Sequence, residues 1–184
     1  LAFARLPAAL GLDVTLHREV SWANLREKLV VGELDAAQLL APLPMTTTFG
    51  AGGIRGNLLT GLSLGLNGNA ITLSNSLWES LGLHYPGLVP DALEVVQRLQ
   101  QQVRTRGRLT FATVHAFSMH TFLLRQWFLA GHINPDSDIR LLVLPPEQMC
   151  DSLARGIIDG FCVGEPWSTV AVEQGIGTVA ASGY

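Results

Sequence analysis

Charge is scarce in this chain. Only 15% of its 184 residues are charged, and 12 basic against 15 acidic side chains leave a formal net charge of −3. No run of Lys or Arg occurs, so the electrostatic footprint of a nucleic-acid binder is missing. Cysteine is rarer still. Cys150 and Cys162 show no CxxC or Cys/His ligand spacing, which argues against a disulfide scaffold or structural zinc and leaves two buried thiols as the plain reading. No stretch approaches the roughly 18 uninterrupted apolar residues of a membrane-crossing helix. There is no GxSxG elbow, no HExxH and no Walker loop. The segment GAGGIRG lacks a P-loop lysine and the GxGxxG spacing, so it reads as a flexible turn.

Apolar residues are plentiful, at 48%, with 19 Gly and 9 Pro. Such a chain buries enough surface to offset its ordering entropy, which argues against disorder. The length suits one large domain or two small ones. LAFARLPAALGL opens without a methionine and reads as the back half of a helix, while GTVAASGY stops inside an apparent strand. The expectation is a piece of a longer chain, in which a missing signal peptide says little about compartment.

Helix and strand patterns alternate. Helices are expected at about 3–11, 22–32, 118–131 and 146–155, with strands at 13–18, 35–40, 109–115, 138–144 and 158–163. A short helix follows Pro44, and LLTGLSLGL and AITLS flank an Asn67-Gly68-Asn69 turn. Ser74 or Asn75 caps a helix through Leu81, HYPGLVP breaks the pattern, and Pro90-Asp91 opens a polar helix to about 106. Another helix opens at Glu165-Pro166, and a last strand starts near 177. This density of alternation predicts an α/β fold with mostly parallel sheets flanked by helices.

An internal repeat sharpens the reading. At a constant offset of 124, LVVGELDAAQLLAP (29–42) aligns with LARGIIDGFCVGEP (153–166), matching Leu29/Leu153, Gly32/Gly156, Leu34/Ile158, Asp35/Asp159 and Pro42/Pro166. The same offset pairs Val20 with Leu144 and Trp22 with Pro146. Each copy reads helix, glycine cap, strand, then proline at the next helix start. Either two ordinary βαβ units coincide by chance, or two homologous lobes face each other as a clamp. On the clamp reading, lobe 1 covers 1–85, a polar helix at 86–107 connects, lobe 2 covers 108–175, and 176–184 begins the return.

Four junctions would then line a cleft at the carboxyl ends of the strands. Ser21-Trp22 stands at a helix start, where unpaired N–H groups welcome an anion and the indole adds a flat wall, or simply staples the helix. Asn69 either offers an amide donor or belongs only to the turn. His115-Ala116-Phe117-Ser118-Met119-His120 bridges strand and helix. Ser118 is a natural N-cap, and His120 in the first turn is a neutral donor, a cation or a structural group. Pro146 opens one helix without demanding a donor, and Glu165 caps the next helix, pairs across the cleft, or accepts from a ligand or metal. His115, His120 and Glu165 are poorly spaced for a metal site.

Four segments, SWANLREKLVVGELDAAQLLAPLP, LGLNGNAITLSNSLWE, FSMHTFLLRQWFLAGHINPDSDIRLLVLPPEQM and IIDGFCVGEPWSTVAVEQGIG, resemble the bacterial nitrate/nitrite-binding family. That family includes solute-binding proteins of nitrate and bicarbonate ABC transporters and cytoplasmic nitrate sensors that hold an RNA-binding antiterminator. The resemblance implies a two-lobed type II periplasmic-binding-protein clamp that binds nitrate or nitrite without catalysis, metal or cofactor. It implies Trp22, Asn69, His120 and Pro146 as ligand contacts, and Glu165 is carried with them as a candidate. Asn69 stands where transporter members tend to have Gln. Phe117-Ser118-Met119-His120-Thr121 replaces their Gly-Gly-Thr-His-Asp segment and is more similar to the sensor branch, which favours a cytoplasmic location and an antiterminator-type regulatory partner. The transporter branch implies an ABC permease and ATPase as partners and a periplasmic or lipid-anchored location. A basic residue that the family brings to the oxyanion would lie beyond Tyr184, and the acid and calcium of bicarbonate binders have no support in these segments. An enzyme similar to the pyrimidine synthases of thiamine biosynthesis is the alternative on the same clamp, and it would need a reactive His and Cys set.

Overall fold

The computed structural model describes residues 10–83 and 91–182. In chain order it contains helices α1 (Trp22–Val31) and α2 (Pro42–Thr48), strand β1 (Asn69–Ser74), helices α3 (Asn75–Ser80) and α4 (Ala92–Arg106) and strand β2 (Leu109–Thr113). Helix α5 (Met119–Ala130), β3 (Ile139–Val143), α6 (Met149–Ala154), β4 (Gly160–Gly164), α7 (Trp167–Glu173) and β5 (Gly177–Ser182) follow, with 3-10 turns at Ala51–Gly53 and Pro146–Gln148. Local chemistry explains the boundaries. Ser21, Ser74, Asp91 and Ser118 each accept a backbone N–H at a helix start, satisfying donors that the first turn leaves open.

Five strands form one sheet in the order β3-β2-β4-β1-β5. β2 runs parallel to β3 and β4, while β1 runs antiparallel to β4 and β5. The sheet is therefore mostly parallel, with one reversed strand. Side-chain alternation sends Ile71, Leu73, Phe111 and Cys162 to one face, where they pack with Val95, Val96 and Leu99 of α4 and Leu124 and Phe128 of α5. Ala112, Phe161 and Val163 point the other way, onto Met149, Cys150 and Leu153 of α6 and Ala171 of α7. Phe111 and Phe128 meet edge to face with ring centroids 4.9 Å apart. Gly160 is required within this layer. A Cβ there would stand 2.6 Å from Phe111 Cε1 and 2.8 Å from the Thr72 carbonyl oxygen.

The repeat at offset 124 reappears as backbone chemistry. Gly32 N–H donates to Leu29 O, Glu33 to Lys28 O and Leu34 to Lys28 O, and Gly156, Ile157 and Ile158 repeat these bonds onto Leu153, Ser152 and Ser152. Both glycines take the left-handed conformation that ends a helix, with φ of 80° and 66°. The copies then diverge. Residues 160–164 join the sheet as β4, whereas the run expected as a strand at 35–40 has no ladder partner among the described residues.

Three strand expectations thus fail, at 13–18, at 35–40 and along LLTGLSLGL. Apolar alternation suits a pleated ribbon only where a neighbour supplies the row of hydrogen bonds. Without one, Leu12, Val14, Leu16, Leu62 and Leu66 stay exposed, and Leu59 is 99% exposed. Asn67 and Gly68 do take the positive φ of a tight turn, at 63° and 78°, but no hairpin forms, because β1 pairs with β4 and β5 instead. Most of the helix expected at 3–11 and all of HYPGLVP lie outside the described residues.

β1, placed in the 1–85 lobe, and β5, placed in the return segment, both belong to the sheet of β2, β3 and β4. The buried backbone of β1 finds its ladder partners on both edges, in β4 and β5. Helix α4 (Ala92–Arg106), within the segment expected as a polar connector, covers one face of the sheet with Val95, Val96 and Leu99, each 0% exposed. Among the described residues no helix is long and apolar enough to cross a membrane.

Candidate functional site

Strand direction brings the candidate residues to one edge of the sheet. β2, β3 and β4 are mutually parallel, and their carboxyl ends lead into residues 114–118, 144–146 and 165–166. β1 runs the other way, so its first residue, Asn69, pairs with the last residue of β4, Gly164. Asn69, the start of α5 with His120, Pro146 and Glu165 therefore share the edge where open α/β sheets bind ligands. Trp22 reaches the same side of the fold, packing with Leu40, Leu144 and Trp167 against the cluster beneath α6 and α7.

Asn69 and His120 both border Gly164. The point where a Gly164 Cβ would stand lies 3.8 Å from Asn69 Oδ1 and 4.0 Å from His120 Nε2, with no closer atom. Gly164 thus leaves a gap walled by an amide and an imidazole. His120 is 7% exposed, and its Nδ1 has no hydrogen-bond partner. Burial alone pushes its pKa down to about 4, so the ring is neutral at pH 7 and offers one N–H. The cationic option open in the sequence is closed in this state of the protein. A neutral imidazole beside a carboxamide suits a weakly basic, hydrogen-bond-accepting ligand.

Three buried hydroxyls hold the loop that carries His120. Thr113 Oγ1 lies 3.2 Å from Ser118 Oγ and 3.0 Å from Thr121 Oγ1, and Ser118 Oγ lies 3.2 Å from Thr121 Oγ1. Thr121 Oγ1 donates to the His115 carbonyl at 2.7 Å, while Ser118 Oγ accepts the Thr121 N–H at 3.2 Å. The network pins the carboxyl end of β2 to the first turn of α5. His115 Nδ1 accepts from Phe117 N–H at 3.0 Å, so its ring shapes the loop.

The other candidates divide. Trp22 is half-buried, and its Nε1–H donates to Gln38 Oε1 at 3.2 Å, so both the stapling and the wall readings keep a basis. Pro146 opens the 3-10 turn and is partly exposed. Glu165 performs the capping role, since its Oε2 accepts from Thr169 N–H at 3.2 Å and its side chain is exposed. Among the described residues, no group of three or more His, Cys, Asp and Glu stands close enough to hold a metal ion. Cys162 is 0% exposed, and burial pushes its thiol up to about 12, which removes the thiolate that a reactive cysteine needs.

Two features escaped sequence reading. Gly164 carries no signal beside its charged neighbour Glu165, and only the β1–β4 register shows that it faces Asn69. Arg26, a charged residue in α1, is 5% exposed. A cavity of about 390 Å³ also opens beside Asn69, walled by Leu123, Gln126 and Trp127 of α5 and by Cys162 and Ser182. Trp22, His120, Pro146 and Glu165 are not in its wall.

Known proteins resemble this chain in sequence and fold. The chain is 41% identical over 174 residues to the nitrate import ATP-binding protein NrtC of Synechocystis, covering 94% of this chain and 25% of that protein. It is 32% identical over 182 residues to the bicarbonate-binding protein CmpA of Synechococcus elongatus, covering 95% and 39%. Among solved structures, the periplasmic nitrate-binding protein NrtA from Synechocystis superposes with a TM-score of 0.79 at 27% identity, covering 92% of this chain and 43% of that one. The chain thus spans between a quarter and less than half the length of these relatives. Its fold is that of the periplasmic binding proteins, as the clamp expectation held. With the NMT1-like family model matched over residues 3–183, the chain belongs to the NMT1-like family.

Proposed function

We propose that this chain is part of a non-catalytic binding clamp for a small, singly charged, planar oxyanion, with nitrate or nitrite first and bicarbonate second. The supporting observation is the gap at Gly164, where an amide and a neutral imidazole approach from β1 and α5. Desolvating an anion costs much unless its oxygens are met, and nitrate is basic enough to accept hydrogen bonds without dense positive charge. Trp22 and Pro146 supply flat apolar walls, and the open N–H groups at the start of α5 favour negative charge. Glu165 stays outside the ligand shell as a cap. The names of the relatives, which speak of nitrate and bicarbonate import and binding, favour a transport role with an ABC permease and ATPase as partners. Sensing through an antiterminator-type partner rests on the FSMHT segment and is the second reading.

The test is a titration of the full chain against sodium nitrate, nitrite, bicarbonate (with and without calcium) and a sulfonate, read as melting temperature. Nitrate is expected to raise it by mass action, and His120→Ala to remove most of the shift. A melting curve unmoved by millimolar nitrate, with a sulfonate active, overturns the assignment. Co-purification of the full-length protein with a permease and ATPase, or with an RNA-binding regulator, separates transport from sensing.

A further inference from the structure

One turn beyond Trp22, on the same side of α1, lies Arg26. It is 5% exposed, and neither Nε nor Nη1 has a hydrogen-bond partner. The ion pairs among the described residues join Lys28 to Glu19, Arg125 to Asp136 and Arg155 to Asp151, leaving Arg26 without a carboxylate. Nη1 lies 3.6 Å from the point where a Gly52 Cβ would stand, and Phe117 Cε2 lies 2.9 Å from that same point. His115 senses the guanidinium as well: burial first, and then the charge of Arg26, lowers its pKa.

A largely buried guanidinium with Nε and Nη1 unbonded is costly. Gly52, held at φ 74°, keeps a side chain from intruding beside the guanidinium and the Phe117 ring. The loop that contributes Phe117 and His115 runs directly into Ser118 and the helix carrying His120. One loop therefore links the guanidinium to the imidazole of the candidate site.

We propose that Arg26 is a ligand-binding residue, supplying a formal positive charge to an oxyanion at the seam between α1, the Ala51–Gly53 turn and the 114–118 loop, in addition to the basic residue that the family resemblance places beyond Tyr184. The inference rests on the oxyanion-binding reading and adds its charge partner from within this chain. The planar fork of Arg26 matches two oxygens of a planar anion. Because the guanidinium is covered in this state, the seam parts to admit the anion and closes over it, which couples binding to movement of the 114–118 loop.

Isothermal titration of the full chain with sodium nitrate and with sodium bicarbonate tests this, using wild type, Arg26→Met and Arg26→Lys. Arg26→Met is expected to bind at least about tenfold more weakly, while its unliganded melting temperature is no lower than wild type. Arg26→Lys, which keeps the charge and loses the fork, is expected to fall between them. If wild type binds and Arg26→Met binds equally well, Arg26 is structural and the inference fails while the oxyanion reading stands. If unliganded Arg26→Met melts well below wild type, the inference also fails, since a cation awaiting its anion burdens the empty protein. If wild type binds neither anion, both readings fall.

Discussion

Acidification from pH 7 to pH 5 should destabilise this protein through His120. Its folded pKa of about 4 lies below the ordinary value of about 6.5 that it regains on unfolding. Between those values the unfolded chain binds the proton and the folded one does not, so stability rises with pH across the window and falls as pH drops through it. Integrating the single-site linkage gives a loss of about 2 kcal/mol from pH 7 to pH 5. The full effect approaches about 3 kcal/mol near pH 4. The assay is guanidinium denaturation at pH 7, 6 and 5 for wild type and His120→Gln, which keeps a polar side chain but cannot titrate. The wild-type midpoint should fall more steeply with acid, and the difference between the two slopes isolates His120. NMR titration of the His120 ring gives an independent value. Equal pH dependence in both proteins, or a ring titrating near 6.5, would refute the claim that burial keeps the imidazole neutral. A bound anion stabilises the protonated ring, so saturating nitrate should shrink the pH dependence.

Two glycines in one strand should behave oppositely. Gly164→Ala places a methyl 3.8 Å from Asn69 Oδ1 and 4.0 Å from His120 Nε2, in ordinary contact, so stability should hold within about 1 kcal/mol while anion affinity falls. Gly160→Ala drives a methyl to 2.6 Å from Phe111 Cε1 and should cost about 3 kcal/mol in denaturant unfolding. Thr113→Val keeps the shape and removes one hydroxyl of the buried triad. The Ser118–Thr121 contact survives at 3.2 Å, so the expected cost is about 1 kcal/mol, read as a shifted midpoint, with anion affinity falling as the His120 loop loosens.

Elements with local signals were legible. Ser21, Asp91 and Ser118 announced their helices because a side-chain oxygen followed by a periodic apolar pattern is itself the physics of helix initiation. Gly32 and Gly156 marked two helix ends for the same local reason. The strands expected at 13–18 and 35–40 do not form, because pairing is not a local property. Their patterns match those of β2 and β4, but only a neighbour with free backbone groups makes a strand of either. The family resemblance picked out His120 and Asn69, and the register of β1 against β4 set them beside Gly164.

By itself the sequence determined the α/β alternation, the helix caps, the repeat at offset 124 and the lack of metal-ligand or nucleophile motifs, since each depends on neighbours within a few turns or on composition. Tertiary structure alone decided that β1 and β5 share a sheet with residues 109–164, that His120 is dry and neutral, and that Arg26 is buried without a partner. Burial depends on what distant segments bring to a side chain, and one arginine reads the same in a sequence whether water or Phe117 stands beside it.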